Sequence, residues 1–295
     1  MKKWTSPHGR ALPSTQARTL LMGIVNVTPD SFSDGGKFLA VDAAVAQATR
    51  LAADGADVLD LGAESTRPGG ATVDTTTELD RLLPALRAVR EALPHMPLSV
   101  DTYKAAVAEA AIAEGADIIN DVRGGLHGLT ERHSGERSPM GIVAARTGAP
   151  LVLMHNRGTP LNDAIFWKSF LEELQCSITH ALEAGVAQRQ LWLDPGFGFG
   201  KTPAQNLECL RKLSQVADLG LPVLLGTSRK STLGLVLDAP VLERHEGNTA
   251  TVVWGIANGA AMVRVHDIAA IRPAVRMADA IRAGLPGPLV CETYS

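Results

Sequence analysis

The chain has 295 residues, 45% of them apolar and 20% charged, with a formal net charge of −3. That length permits one large domain or two ordinary ones, while the composition excludes general disorder and a general nucleic-acid surface, so any anion site must be local. Nowhere do roughly 18 uninterrupted apolar residues appear, as a membrane span would need, and the N-terminal lysines have no apolar run behind them, so the expected location is cytoplasmic. Cys176, Cys209 and Cys291 are far apart and contain no CxxC pair. A disulfide framework or zinc knuckle is therefore not expected, and the cysteines read as reduced thiols.

Residues 1–17, rich in Pro, Ser and charge, read as an N-terminal tail lying against the first strand. Residues 18–285 read as the folded domain and 286–295 as a C-terminal tail. Leu20 to Val25 is a buried strand that stops at Asn26 and opens into a loop. That loop, 26–38, holds Thr28, Asp30, Ser31, Ser33, Asp34 and paired glycines around one aromatic, Phe32. Its composition suits a mobile cover with Phe32 as the lid residue, although an ordinary strand-to-helix connection would look similar. Val41 to Ala53 has helical spacing, and Gly55 ends it before a second apolar run, Asp57 to Leu61. The same phrase returns as AADGADVLDL at Ala52, AIAEGADIIN at Ala111, AARTGAPLVLM at Ala144 and IANGAAMVRV at Ile256. Further runs at Pro97 to Val100, Leu191 to Leu193 and Leu221 to Leu225 complete a set of about eight, each followed by a helical segment.

Such alternation implies an α/β fold with a parallel sheet. About eight βα units in a chain of this length fit a single-domain (β/α)8 TIM barrel better than an open doubly wound sheet. The strand C-termini of a barrel face one mouth, so the residues just past each run should converge. They are Asn26; Glu64, Ser65, Thr66 and Arg67; Asp101; Asn120 and Asp121; His155; Asp194; Ser228, Arg229 and Lys230; and Arg264, His266 and Asp267. Caps and turns account for some of the Asp, Asn and Ser. They do not account for Lys230, Arg264 and His266.

GAESTRPGG, from Gly62, sets an arginine between a hydroxyl residue and a proline and ends in a glycine pair. It reads as a second cover over the mouth or, more simply, as a solvated turn. Asp101 and Asp194 each end an apolar run; a carboxylate there can accept hydrogen bonds from an amidine-like edge such as that of a pterin or guanine, and Asn120 could add a contact. Taken singly, each acid could equally be a helix cap. GTSRKS, Gly226 to Ser231, follows a strand and opens a helix, which brings backbone N–H groups, hydroxyls and Lys230 to one anion or carboxylate site. Arg264 and His266 stand two apart in an extended segment and face the same side. With Asn26 they could hold a phosphate or diphosphate, with Mg2+ on the Asn oxygen. No cluster has spacing for a tightly held zinc or iron, and GFGFG lacks the GxGxxG spacing of a dinucleotide site.

The motifs NVTPDSFSDGG, GAESTRPGG, SVDT, IND, LMH, DPGFGFGK, GTSRKS and RVHD, in that order between about Leu20 and Ala283, resemble those of the dihydropteroate synthase family. The resemblance implies a (β/α)8 barrel that joins p-aminobenzoate to 6-hydroxymethyl-7,8-dihydropterin diphosphate, with early C–O cleavage to a pterin cation and release of diphosphate. It implies that Asp101, Asn120, Asp194 and Lys230 hold the pterin, with Met154 in the pocket lining. Asn26, Arg264 and His266 would bind the diphosphate, Asn26 also through Mg2+. Thr66, Arg67, Pro68, Phe199, Lys230 and Ser231 would shape the aminobenzoate site, where sulfonamides compete, with Phe32 closing over it. Asp101, Lys230, Arg264 and His266 would carry the catalysis. A homodimer through Arg244 to Asn258 and Ile271 to Ala283 is also implied, with no nucleic-acid or membrane partner.

Some segments depart from the family's usual pattern: Ala63 in place of a second glycine, a longer charged stretch after Gly125, and HNRGTP after Met154. They bear on loop geometry more than on chemistry. Two other functions compete. A pterin barrel that passes a methyl group from methyltetrahydrofolate to a corrinoid protein would keep the acids but not need Arg264, His266 and both covers. A silent pterin-binding relative would release no diphosphate.

Overall fold

The computed structural model describes residues 4–15, 18–27, 34–64, 72–129 and 136–284. Eight parallel strands close into a barrel in sequence order. They are β1 (Leu20–Asn26), β2 (Val58–Gly62), β3 (Leu98–Asp101), β4 (Ile118–Asp121), β5 (Leu151–Met154), β6 (Leu191–Asp194), β7 (Val223–Leu225) and β8 (Ala260–Val265). The helices that follow them are α1 (Asp34–Asp54), α2 (Thr75–Ala92), α3 (Ala105–Ala113), α4 (Pro139–Thr147) and α5 (Asp163–Glu183), then α6 (Pro203–Arg211), α7 (Leu213–Ala217), α8 (Ser231–Leu237), α9 (His245–Ala257) and α10 (Ile268–Ala283). The expected (β/α)8 fold is the one observed. Because helices cover the outside and side chains fill the inside, the strands are apolar on both faces, which is why they appear in sequence as short continuous runs.

The repeated Gly-Ala phrase is a helix stop. At the end of α1 the Gly55 N–H donates to the Ala52 carbonyl and the Ala56 N–H to that of Leu51, and Gly115 and Ala116 repeat the pattern on Ile112 and Ala111. These paired bonds, the second reaching back five residues, satisfy carbonyls that the helix end would leave open. They require a positive φ, which is 102° at Gly55; a side chain there would be strained. Helix starts carry matching signals. Asp74, Ser138, Asn162 and Asp267 each accept from a backbone N–H of the helix they precede, and Thr202 and Gln205 form a reciprocal capping box.

Inside the barrel, Leu20, Met22, Val58, Ile118, Val152, Trp192, Leu224 and Met262 form one apolar cluster with Trp4. The segment expected to be a tail along β1 therefore lies across the barrel's N-terminal mouth. The Trp4 ring stands 4.6 Å from that of Trp192, and its Nε1–H donates to the Pro13 carbonyl at 2.7 Å. Buried Asp117 ties the segment down, taking bonds from Ser6, Arg10 and Arg90. A single aromatic among prolines and serines carries no periodicity, so this plug has little signature in the sequence.

Two residues further along each strand the lumen changes character. Side chains at i and i+2 share a face, so Met22 leads to Ile24 and Asn26, Val58 to Asp60, Ile118 to Asn120, Val152 to Met154, Trp192 to Asp194, and Met262 to Arg264. With Ser99 leading to Asp101 on β3, this second tier is polar apart from Ile24 and Met154 and forms the base of a cavity.

Candidate active site

A cavity of about 500 Å3 opens at the C-terminal ends of the strands. Its base is a buried ion network. The Arg264 Nε–H donates to Asp60 Oδ2 at 2.6 Å, an Nη2–H donates to Asp101 Oδ2 at 2.7 Å, and the Asn120 Nδ2–H also reaches Asp60 Oδ2, at 3.0 Å. Asp60 is wholly buried in the middle of β2. Asp60 Oδ1, Asp101 Oδ1 and Asn120 Oδ1 are buried with no hydrogen-bond partner among the described residues. Buried oxygens without donors are costly and uncommon, and here they cluster at the base of an open pocket.

Burial pushes the Asp101 carboxyl up to about 7, with Asp60 adding to the rise and Arg264 opposing it. Desolvation also raises Asp194, against the Gly196 N–H that donates to its Oδ1 at 2.7 Å and the charge of Lys230. Lys230 moves the other way, down to about 8, through burial and repulsion from Arg264, with Asp194 and Asp101 holding it up. For Arg264 burial acts downward, but Asp60 and Asp101 outweigh it and the guanidinium is held more firmly charged than usual. Burial thus shifts Asp101, Asp194 and Lys230 each toward its neutral form.

One wall is apolar. Val122 and Met154 pack with Tyr103 and Phe199, and Lys230 Nζ stands 3.9 Å from the Phe199 ring centroid. At the rim, His266 Nδ1 and Ser228 Oγ are 2.9 Å apart, and Asn26, Arg229, Ser231 and Arg244 complete the opening. Glu64 lines the opposite side and is paired with Lys104, which also bonds Glu78 at 2.6 Å.

The structure thus brings Asn26, Asp101, Asn120, Met154, Asp194, Phe199, Lys230, Ser231, Arg264 and His266 to one cavity. Phe32, Ser65, Thr66, Arg67 and Pro68 lie outside the described residues. Three residues expected at the mouth are turned elsewhere. Asp121 accepts from the Arg123 and Gly125 N–H groups, His155 meets Glu173, and Asp267 caps α10. Each follows an inward residue by one position, so strand alternation aims it outward. Sequence reasoning missed Asp60. Its signal was an acid in the middle of the apolar run VLDLG, where only a partnered charge is tolerated. Arg264, read as a phosphate contact, is in this structure shared between two carboxylates.

A pterin binding enzyme profile matches residues 22–266 of the chain. The dihydropteroate synthase of Bacillus subtilis (strain 168) is 46% identical over 269 residues, covering 91% of this chain and 90% of the relative. The chain belongs to the dihydropteroate synthase family of pterin-binding enzymes. Solved members of the family agree with the fold described above. A Clostridium difficile dihydropteroate synthase crystallised in the presence of pteroic acid superimposes with a TM-score of 0.81 at 45% identity, covering 90% of this chain and 97% of that one. The Xanthomonas albilineans enzyme with 4-aminobenzoic acid gives 0.82 at 40% identity, covering 92% and 96%.

Proposed function

We propose that this chain condenses 6-hydroxymethyl-7,8-dihydropterin diphosphate with p-aminobenzoate to give 7,8-dihydropteroate and diphosphate. The observation that carries this reading is the trio of partnerless acceptor oxygens on Asp60, Asp101 and Asn120 at the base of the cavity. A pterin presents several N–H donors along one edge, and beside these acceptors stand Asp194 and the apolar wall of Val122, Met154 and Phe199 for its ring. The ligands named for the family's solved structures agree with this reading.

In the reaction the bond between the pterin methylene and the diphosphate oxygen breaks, and its electron pair leaves with the diphosphate. The positive charge spreads into the pterin ring. Asp101, ionised and preorganised by Arg264, stabilises that charge. The aryl amine then attacks the methylene, its nitrogen forms the new bond, and the proton it loses passes to solvent or diphosphate. A weak amine attacking a cation needs little base, and none is assigned. His266, Ser228 and Lys230 supply donors for the leaving group and the amine's carboxylate, and Ser231 at the start of α8 adds a hydroxyl.

Asn26 stands exposed at the rim, and its carboxamide oxygen is the hard donor type that Mg2+ prefers. Among the described residues no group of three His, Cys, Asp or Glu could hold a metal. This donor set fits an ion that arrives on the diphosphate and keeps most of its waters; bound there it would neutralise charge developing on the leaving group.

Sulfonamides, as mimics of p-aminobenzoate, should compete at the Phe199 and Lys230 side of the cavity; activity unchanged at high sulfonamide would contradict this. The chain forms a homodimer on this reading, supported by large exposed apolar residues on α8, α9 and α10: Leu235, Val236, Trp254, Met277 and Ile281. A monomeric mass in sedimentation would remove it. A cytoplasmic location belongs to the same reading; among the described residues no helix is long and apolar enough to cross a membrane.

The deciding experiment is diphosphate release from the dihydropterin diphosphate and Mg2+, with and without p-aminobenzoate. Amine-dependent release with formation of dihydropteroate is the expected result. Tight pterin binding without release would overturn it, and methyltetrahydrofolate would then be tried as substrate.

A further inference from the structure

Lys201 ends the glycine-rich stretch that follows β6, and it is only 9% exposed. Among the described residues it enters no ion pair. Its ammonium instead lies 2.9 Å from the Gly196 carbonyl oxygen, 3.1 Å from that of Phe199 and 3.2 Å from that of His155. The Phe170 ring closes the site, its centroid 5.7 Å from Nζ. These carbonyls come from the first turn past β6, from the cavity wall and from the end of β5. The segment lies directly on the neighbouring β5–α5 connection. A Cβ on Gly196 would stand 1.9 Å from the His155 carbonyl oxygen, and one on Gly200 2.1 Å from that of Arg157.

Close approach of this kind gathers carbonyls where water has little room. An ammonium is the one side-chain group with three donors diverging from a single atom. What the segment presents to the cavity is specific: the Gly196 N–H holds Asp194, and Phe199 lies beneath Lys230. We propose that Lys201 is a positioning residue that, by joining the carbonyls of His155, Gly196 and Phe199, fixes the Phe199 ring against Lys230 and so sets the aryl-amine side of the cavity without touching a ligand. The identity of the amine rests on the reaction proposed above; the fixing of the segment does not.

The test combines amide hydrogen exchange with a double-mutant cycle. In Lys201→Met, exchange at residues 196–200 rises at least about tenfold while β4 amides stay within about twofold. KM for p-aminobenzoate rises at least about fivefold in Lys201→Met, but by less than about twofold when the same change is made in a Phe199→Ala background. If the methionine variant does not fold, Lys201→Gln is measured instead, since its amide still offers two donors. Unaltered exchange at 196–200 would overturn the positioning role. Equal effects on KM in both backgrounds would also overturn it, because they would mean that Lys201 acts through general stability. A parent protein without synthase activity would sink the reaction assigned above and leave hydrogen exchange to decide on Lys201.

Discussion

The two tiers of the barrel lumen are made by the same strands and differ by a single step of two residues. In the lower tier Met22, Val58, Ile118, Val152, Trp192, Leu224 and Met262 interlock around Trp4. In the upper tier Asp60, Asp101, Asn120, Asp194 and Arg264 occupy the corresponding inward positions. Burial stabilises the first tier in proportion to apolar area. The second buries ions whose desolvation the pairing offsets only in part. Stability and chemistry are thus segregated by height within one sheet, with the lower tier sustaining the cost of the upper.

The sharpest way to break that division is Arg264→Ala. Removing the guanidinium leaves Asp60 and Asp101 buried without their cation, so stability should fall by about 3–5 kcal/mol as well as turnover by at least about a hundredfold. Both losses are read from thermal unfolding and initial rates, and near-normal rates would remove Arg264 from the mechanism. Next in size, Asp101→Asn keeps the shape and should fold normally while turning over at least about a hundredfold more slowly, a loss of about 3 kcal/mol in transition-state stabilisation.

The same residue gives a pH test with opposite signs. Asp101 titrates near 7 in the fold, above its ordinary value of 3.8. The folded state thus binds the extra proton more readily, and the contribution of Asp101 to stability is full below about pH 4 and lost as pH rises through about 7. Activity needs the ionised form, so kcat/KM should instead fall as pH drops through 7, and Asp101→Asn should flatten both dependences. In the lower tier Trp4→Ala should cost about 3 kcal/mol of stability yet leave kcat/KM within about twofold. Smallest of all, Ile118→Val should cost about 1 kcal/mol with unchanged rates. A rate loss in either of these two would show that the tiers are coupled.

The eight strands were legible because each is a short apolar run followed by a helix, four of them also announced by a Gly-Ala helix stop, and most of the site was legible because strand ends converge in a barrel. What escaped did so for reasons of phase. Asp60 lies within a run instead of at its end, and only counting in steps of two from Val58 or Gly62 brings it into the lumen. The same count would have removed Asp121, His155 and Asp267, each adjacent to an inward residue. Arg264 was placed correctly by that count, but its partners were not, since pairing across β1 to β2 depends on register that a sequence does not display. The N-terminal plug rests on one tryptophan whose seat is assembled from seven strands.

That seat has a consequence for the order of assembly. Trp4 precedes every strand in the chain, yet its pocket draws on Met262 in β8 and does not exist until the last strand has closed the barrel. Contacts so distant in the chain form slowly, because the loop between them must be ordered first. The contact of Trp4 with Trp192 is therefore a latch set at the end of folding, and the light emitted by those two indoles would mark the moment at which the barrel is complete.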